Sequence, residues 1–201
     1  AASLGNVLHA RGETKGALEA YEVAVRANPR DTITHNNMGI VLQTLGHVSR
    51  AVDAYGVALK VDPTYAIAHY NLGVALQSQQ RLDEAINSYE TAVKHRPHYA
   101  DAYNNMGYAL QSKGDYQAAI KAYEEAVRLR PDFASARANL RHAKRKLEGG
   151  GAKSVVIEVS EDNGAAAPAP AAPARPVKPP LPKQKSLFNS MFGSSGSSSW
   201  Y

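Results

Sequence analysis

The sequence predicts an all-α protein: a solenoid of stacked antiparallel helix pairs, closed by a terminal helix and followed by a disordered tail. Three observations carry this. Six columns of residues recur every 34 positions through the first two thirds of the chain. Within each period the apolar residues fall at helical spacing. From Gly149 onward both regularities stop, and Gly, Ala, Pro and Ser take over. A period of this length marks a chain of supersecondary units, none of which can bury its apolar face alone.

The recurring columns are Gly5, Gly39, Gly73, Gly107; Leu8, Leu42, Leu76, Leu110; Ala17, Ala51, Ala85, Ala119; Tyr21, Tyr55, Tyr89, Tyr123; Ala24, Ala58, Ala92, Ala126; and Pro29, Pro63, Pro97, Pro131. The first unit, 1–31, lacks only its first three residues. Its start inside a helix leaves an uncapped apolar edge, so we expect the chain to be the C-terminal part of a longer protein. The second unit, 32–65, serves as the template. Met38, Val41, Leu42 and Leu45 line one face of a first helix, which Gly46 closes because glycine adopts the left-handed conformation without penalty. Ala51, Val52, Tyr55, Ala58 and Leu59 line a second helix, which Pro63 stops. Gly39 and Ala51 remove bulk where the two backbones are expected to meet. Units 66–99 and 100–133 repeat the plan. Residues 134–148 keep Asn139 and Leu140 but carry Arg141 in the glycine column. This stretch reads as a capping helix, with Leu140, Ala143 and Leu147 inward and Arg137, Arg141, Lys144, Arg145 and Lys146 toward water.

The columns resemble the tetratricopeptide repeat family, closely over 1–133 and more loosely over 134–148. The resemblance implies a right-handed superhelix whose concave face, lined by the first helices, binds extended peptides. Asn37, Asn71, Asn105 and Asn139 are also 34 apart. They resemble the asparagine ladder in the repeats of the O-linked N-acetylglucosamine transferase and of importin-like solenoids, which holds a peptide by its main chain. Asparagine is a poor helix-interior residue, so something should offset its cost. Its amide, with one acceptor and two donors, suits a peptide backbone; the alternative is bonding within or between neighbouring helices, with no ligand contact. The candidate peptide-binding set is Asn36, Asn37, Asn71, Asn104, Asn105 and Asn139 with Gln43, Gln77 and Gln111. Tyr70, Tyr103 and Tyr108 would supply apolar contact.

One branch of the family binds acidic chaperone tails through a clamp of Lys and Arg beside Asn. The matching positions here, Ala2, Asn6, Asn37, Ile67 and Asn71, or Asn36, Ile40, Asn71, Asp101 and Asn105, keep the asparagines and lose every cation. An acidic tail is therefore not the expected ligand.

Composition narrows the chemistry. The chain has no cysteine, which excludes disulfides, thiolate nucleophiles and cysteine metal sites. Net charge is −1 over 1–133, +4 over 134–148 and +2 over the remainder, so no basic stripe marks the repeats for nucleic acid. No apolar stretch is long enough to span a bilayer. His95 and His98 flank Pro97 as a conceivable metal pair without a third ligand, and His35 and His69 share a column as packing or surface residues. No cofactor and no catalytic constellation is expected.

The expected function is a non-catalytic adaptor that binds an extended segment of another protein. The alternative is a repeat fragment that presents substrates to a larger enzyme such as a glycosyltransferase. Self-association through an open end is a third possibility. In the tail, Val155-Val156-Ile157-Glu158-Val159 before Ser160-Glu161-Asp162 resembles a SUMO-interacting motif. Pro173-Ala174-Arg175-Pro176-Val177-Lys178 fits the pattern read by Src-homology-3 domains, with a plain spacer as the alternative. The expected setting is intracellular, cytoplasmic first and nuclear second.

Overall fold

The computed structural model describes residues 1–150; the tail motifs and the expected disorder after Gly149 lie outside the described residues. The order is α1 (Ala2–Ala10), α2 (Thr14–Ala27), α3 (Thr32–Thr44), α4 (Val48–Val61), α5 (Ala66–Ser78), α6 (Leu82–His95), α7 (Ala100–Ser112), α8 (Tyr116–Leu129) and α9 (Ala134–Gly150). The described residues hold no strand. The helices form four antiparallel pairs and a closing helix, an α-solenoid.

The glycine and tyrosine columns explain each other. A Cβ on Gly39 would lie 2.5 Å from Tyr55 Cε1, and Gly5, Gly73 and Gly107 face Tyr21, Tyr89 and Tyr123 in the same way. The glycine leaves room for a whole aromatic ring of its own pair, beyond the backbone approach expected from sequence. All four rings are fully buried, over equally buried Ala17, Ala51, Ala85 and Ala119.

The turn between paired helices is left-handed at Gly12, Gly46 and Gly114, with φ of 80°, 81° and 85°. Gln80 holds the same place with φ 61°. A side chain there costs on the order of 1 kcal/mol relative to glycine. The hydrogen bonds across it match the glycine turns: Arg81 N donates to Leu76 O at 3.0 Å, as His47 N does to Leu42 O at 2.9 Å.

Between pairs, the connection is pinned by side chains. Asp31 caps α3 by accepting from the backbone N–H groups of Ile33 and Thr34. The shared histidine column ties α3 and α5 to the loops before them. His35 Nε2 donates to Pro29 O at 3.0 Å and His69 Nε2 to Pro63 O at 2.9 Å. His95 stacks on His69, with ring centroids 6.0 Å apart.

Successive first helices touch one another, α1 with α3, α3 with α5, α5 with α7 and α7 with α9. No two second helices do so among the described residues. The crowded side of a curved stack is its inner side, so the first helices line the concave face. At the ends, Leu4 and Val7 of α1 are 56% and 53% exposed, whereas Val41, in the column of Val7, is fully buried against the preceding pair. In α9, Ala143 is buried as expected, but Leu147 is 41% exposed, against the inward place expected for it. Lys144 Nζ reaches Glu124 Oε1 at 2.8 Å, and the other cations of α9 face water.

Candidate functional site

The inner face is built on two rows of amides. In the first, the asparagines are almost fully buried and bond to one another across the repeats. Asn37 Nδ2 donates to Asn6 Oδ1 at 3.0 Å, which also accepts from the Tyr21 hydroxyl at 2.7 Å. Asn36 Nδ2 donates to Asn37 Oδ1 at 3.3 Å, and Asn71 Nδ2 to Asn36 Oδ1 at 2.9 Å. Further along, Asn105 Nδ2 donates to the Tyr70 hydroxyl at 3.2 Å, Asn104 Nδ2 to Asn105 Oδ1 at 3.2 Å, and Asn139 Nδ2 to Asn104 Oδ1 at 3.0 Å. These bonds, within and between neighbouring helices, offset part of the cost of a helix-interior asparagine. Asn139 Oδ1, at the end of the row, is buried with no hydrogen-bond partner.

The second row is more open. Gln43, Gln77 and Gln111 each accept, through Oε1, the hydroxyl of the buried tyrosine of their own pair: Tyr55 at 3.1 Å, Tyr89 at 3.0 Å and Tyr123 at 3.4 Å. That bond fixes which edge of the amide is engaged. Gln43 and Gln111 are half-buried; Gln77 is 5% exposed. Burial raises the pKa of every one of these tyrosines, so their hydroxyls stay protonated donors at neutral pH.

The three candidate aromatics do not stand together. Tyr108, in the column of Ile40 and Val74, is half-buried on the inner face. Tyr70 is 1% exposed, with its ring centroid 4.9 Å from that of Tyr99, so it belongs to the core. Tyr103 occupies the column of His35 and His69 and lies beside Glu125 and Arg128 of α8, off the inner row. Asp101, at one of the clamp positions, is held by Arg130 at 2.5 Å. Among the described residues no three His, Asp or Glu gather around a metal position. Sequence reading placed Asn6 at a clamp position without the two donors it receives, and missed Gln80. For Gln80 the signal was present: a glutamine interrupts a glycine column.

Family profiles match the described array almost throughout. One, described as tetratricopeptide repeat, matches 64–132; another, described as TPR repeat, matches 5–46 and 45–80. The chain is a tetratricopeptide repeat protein. No curated sequence matches this repeat protein. Solved structures do. MamA from residue 41 onward, from Desulfovibrio magneticus RS-1, is 26% identical with a TM-score of 0.68, over 73% of this chain and 82% of that one. YrrB, described as a TPR protein with an unusual peptide-binding site, is 26% identical with a TM-score of 0.62, over 70% of this chain and 71% of that one. The first TPR of Spaghetti (RPAP3), bound to the HSP90 peptide SRMEEVD, shares the fold at 23% identity and a TM-score of 0.57, over 58% of this chain and 93% of that one. Among the described residues of this TPR array no helix is long and apolar enough to cross a membrane.

Proposed function

We propose that the protein is a non-catalytic scaffold whose inner face binds an extended, largely uncharged segment of another protein. The observation that carries this is the second amide row. Gln43, Gln77 and Gln111 are held in register by tyrosine hydroxyls and interspersed with Ile40, Val74 and Tyr108. Amides at regular spacing beside apolar patches complement a peptide main chain and its alternating side chains. The likeness to YrrB supports peptide binding on this kind of array. In this reading the asparagine row spaces the repeats, and Gln43, Gln111 and Tyr108 make direct contact. The tail motifs, outside the described residues, would recruit a SUMO-type or Src-homology-3-type partner and so raise the local concentration of one partner near the other.

A positional peptide array probed with the full chain tests the reading. Combined Gln43→Ala, Tyr108→Ala and Gln111→Ala should lower capture roughly tenfold or more, with helicity retained. Combined Asn37→Ala, Asn71→Ala and Asn105→Ala should act on the melting temperature first. Capture unchanged by the first set would refute the groove. Capture lost by the second set at an unchanged melting temperature would return the contact role to the asparagines.

A further inference from the structure

One pocket of about 160 Å³ interrupts the inner face between α5, the α5–α6 turn and α7. It is lined by Gln77, Ser78, Gln80, Leu82, Tyr108 and Ser112. The bonds already made by its polar groups determine what it can still offer. Gln77 Oε1 is occupied by the Tyr89 hydroxyl, which leaves the amide nitrogen as a donor. Ser78 Oγ donates its proton to Ala75 O at 2.7 Å, and Ser112 Oγ donates to Tyr108 O at 2.9 Å, so both hydroxyls keep lone pairs as acceptors. The adjoining cations are paired: Arg81 with Glu84, and Lys113 with Asp83.

The pocket therefore presents the Gln77 amide donor and two serine acceptors beside the Gln80 carboxamide and the Tyr108 hydroxyl, a mixed donor and acceptor lining without a net charge. A carboxamide, which both donates and accepts and carries no charge, suits that lining. A carboxylate would set its lone pairs against the serine oxygens and find no free cation. A hydrocarbon would leave the polar groups unmet. Gln80 gives an independent reason to regard the place as built. It keeps a side chain in a left-handed turn where Gly12, Gly46 and Gly114 stand in the other units, and that side chain lines the pocket.

We propose that this pocket is a side-chain subsite of the groove and takes the carboxamide of an asparagine or glutamine in the bound segment, with Gln80 as its specificity-determining residue. The inference rests on the groove reading above and names what that groove selects.

The test uses the isotope-labelled full chain and two small probes, N-acetylasparagine N′-methylamide and N-acetylaspartate N′-methylamide, followed by amide chemical shifts. The asparagine probe should shift Gln77, Gln80 and Ser112 saturably, and the aspartate probe should bind roughly tenfold more weakly. Gln80→Gly removes the side chain while relieving the backbone, so it should melt no lower than the parent yet lose roughly tenfold in asparagine-probe affinity. Equal binding of the two probes, unchanged binding by Gln80→Gly, or no saturable shift overturns the subsite. The peptide array separates the two readings. Capture with no preference for Asn or Gln overturns the subsite and leaves the groove, whereas probe binding without capture of any peptide overturns the groove.

Discussion

The pairing of a glycine with a buried tyrosine ring makes a prediction whose sign differs between two glycines of one repeat. Gly39 and Gly56 both lie inside helices, so alanine at either place gains about 1 kcal/mol of helix propensity. At Gly56 nothing lies within 4 Å of the new methyl, and the same column holds Glu22, Glu90 and Glu124 in the other units. Gly56→Ala should keep the whole gain. At Gly39 the methyl meets Tyr55 ring atoms at 2.5, 2.8 and 2.9 Å. That ring is fully buried and cannot swing aside, so overpacking should cost about 3 kcal/mol, the upper end of the usual range. Gly39→Ala should therefore lose about 2 kcal/mol net, placing the variants about 3 kcal/mol apart. Urea unfolding followed by helical circular dichroism reads the difference directly. Adding Tyr55→Leu should cost less in the Gly39→Ala background than alone, because the methyl occupies part of the space the ring vacates. If Gly39→Ala unfolds at the same urea concentration as Gly56→Ala, or higher, the account of the glycine column is wrong.

Burial raises the tyrosine pKa values, those of Tyr21 and Tyr65 from 10.0 to about 12, so the unfolded chain releases phenolic protons at lower pH than the fold does. Stability from these groups is complete below pH 10 and is lost as pH rises toward 12; phenolate absorbance should appear together with loss of helix, and full ionisation with the helix intact would contradict this. His69 is pushed below 6.5 by burial and by His95, against the Pro63 carbonyl and Asp62, which act the other way. Its contribution is present above pH 6.5 and lost as pH falls, and His95→Gln should raise its titration midpoint in a proton NMR titration. Asn71→Ala strands the Asn36 acceptor inside the row and should cost about 1–3 kcal/mol. The same change at exposed Asn87 should stay within about 0.5 kcal/mol in urea unfolding.

The helix pairs were legible because each boundary has a local cause: Gly46 closes α3, Pro63 follows α4, and the apolar residues keep helical spacing. The partners of those residues were less so. Gly39 read as a place for backbone approach, while the group it admits is the ring sixteen residues on. Tyr70 and Tyr103 read alike as aromatics of a first helix. The 34-residue register separates them, since Tyr70 falls in the column of Asn36 and Asn104 and Tyr103 in that of His35 and His69. One residue of helix turns a side chain by about 100°, enough to send one ring into the core and the other beside α8. The asparagine spacing was plain in the sequence. Which way the amides point was not, because most of their bonds join residues about one repeat apart and depend on how the repeats stack.

Those bonds bear on recognition. Four of the amide donors in the buried row cross from one repeat to the one before it, Asn139 to Asn104, Asn105 to Tyr70, Asn71 to Asn36 and Asn37 to Asn6, while Asn104 to Asn105 and Asn36 to Asn37 link neighbours on one helix. Aligned donors polarise one another, and a buried polar row tolerates only the stacking that satisfies it. An apolar row could slide by fractions of a turn at little cost. This one holds successive first helices at a single offset, and with them Gln43, Gln77 and Gln111, whose orientation their own tyrosines fix. Pre-set amides do not spend binding free energy on ordering themselves when a segment docks. The asparagines need not touch a ligand to matter for its affinity, and that separates the two sets of variants proposed above. Loss of the row should first loosen the array, and loss of the glutamines should weaken capture by an array that remains folded.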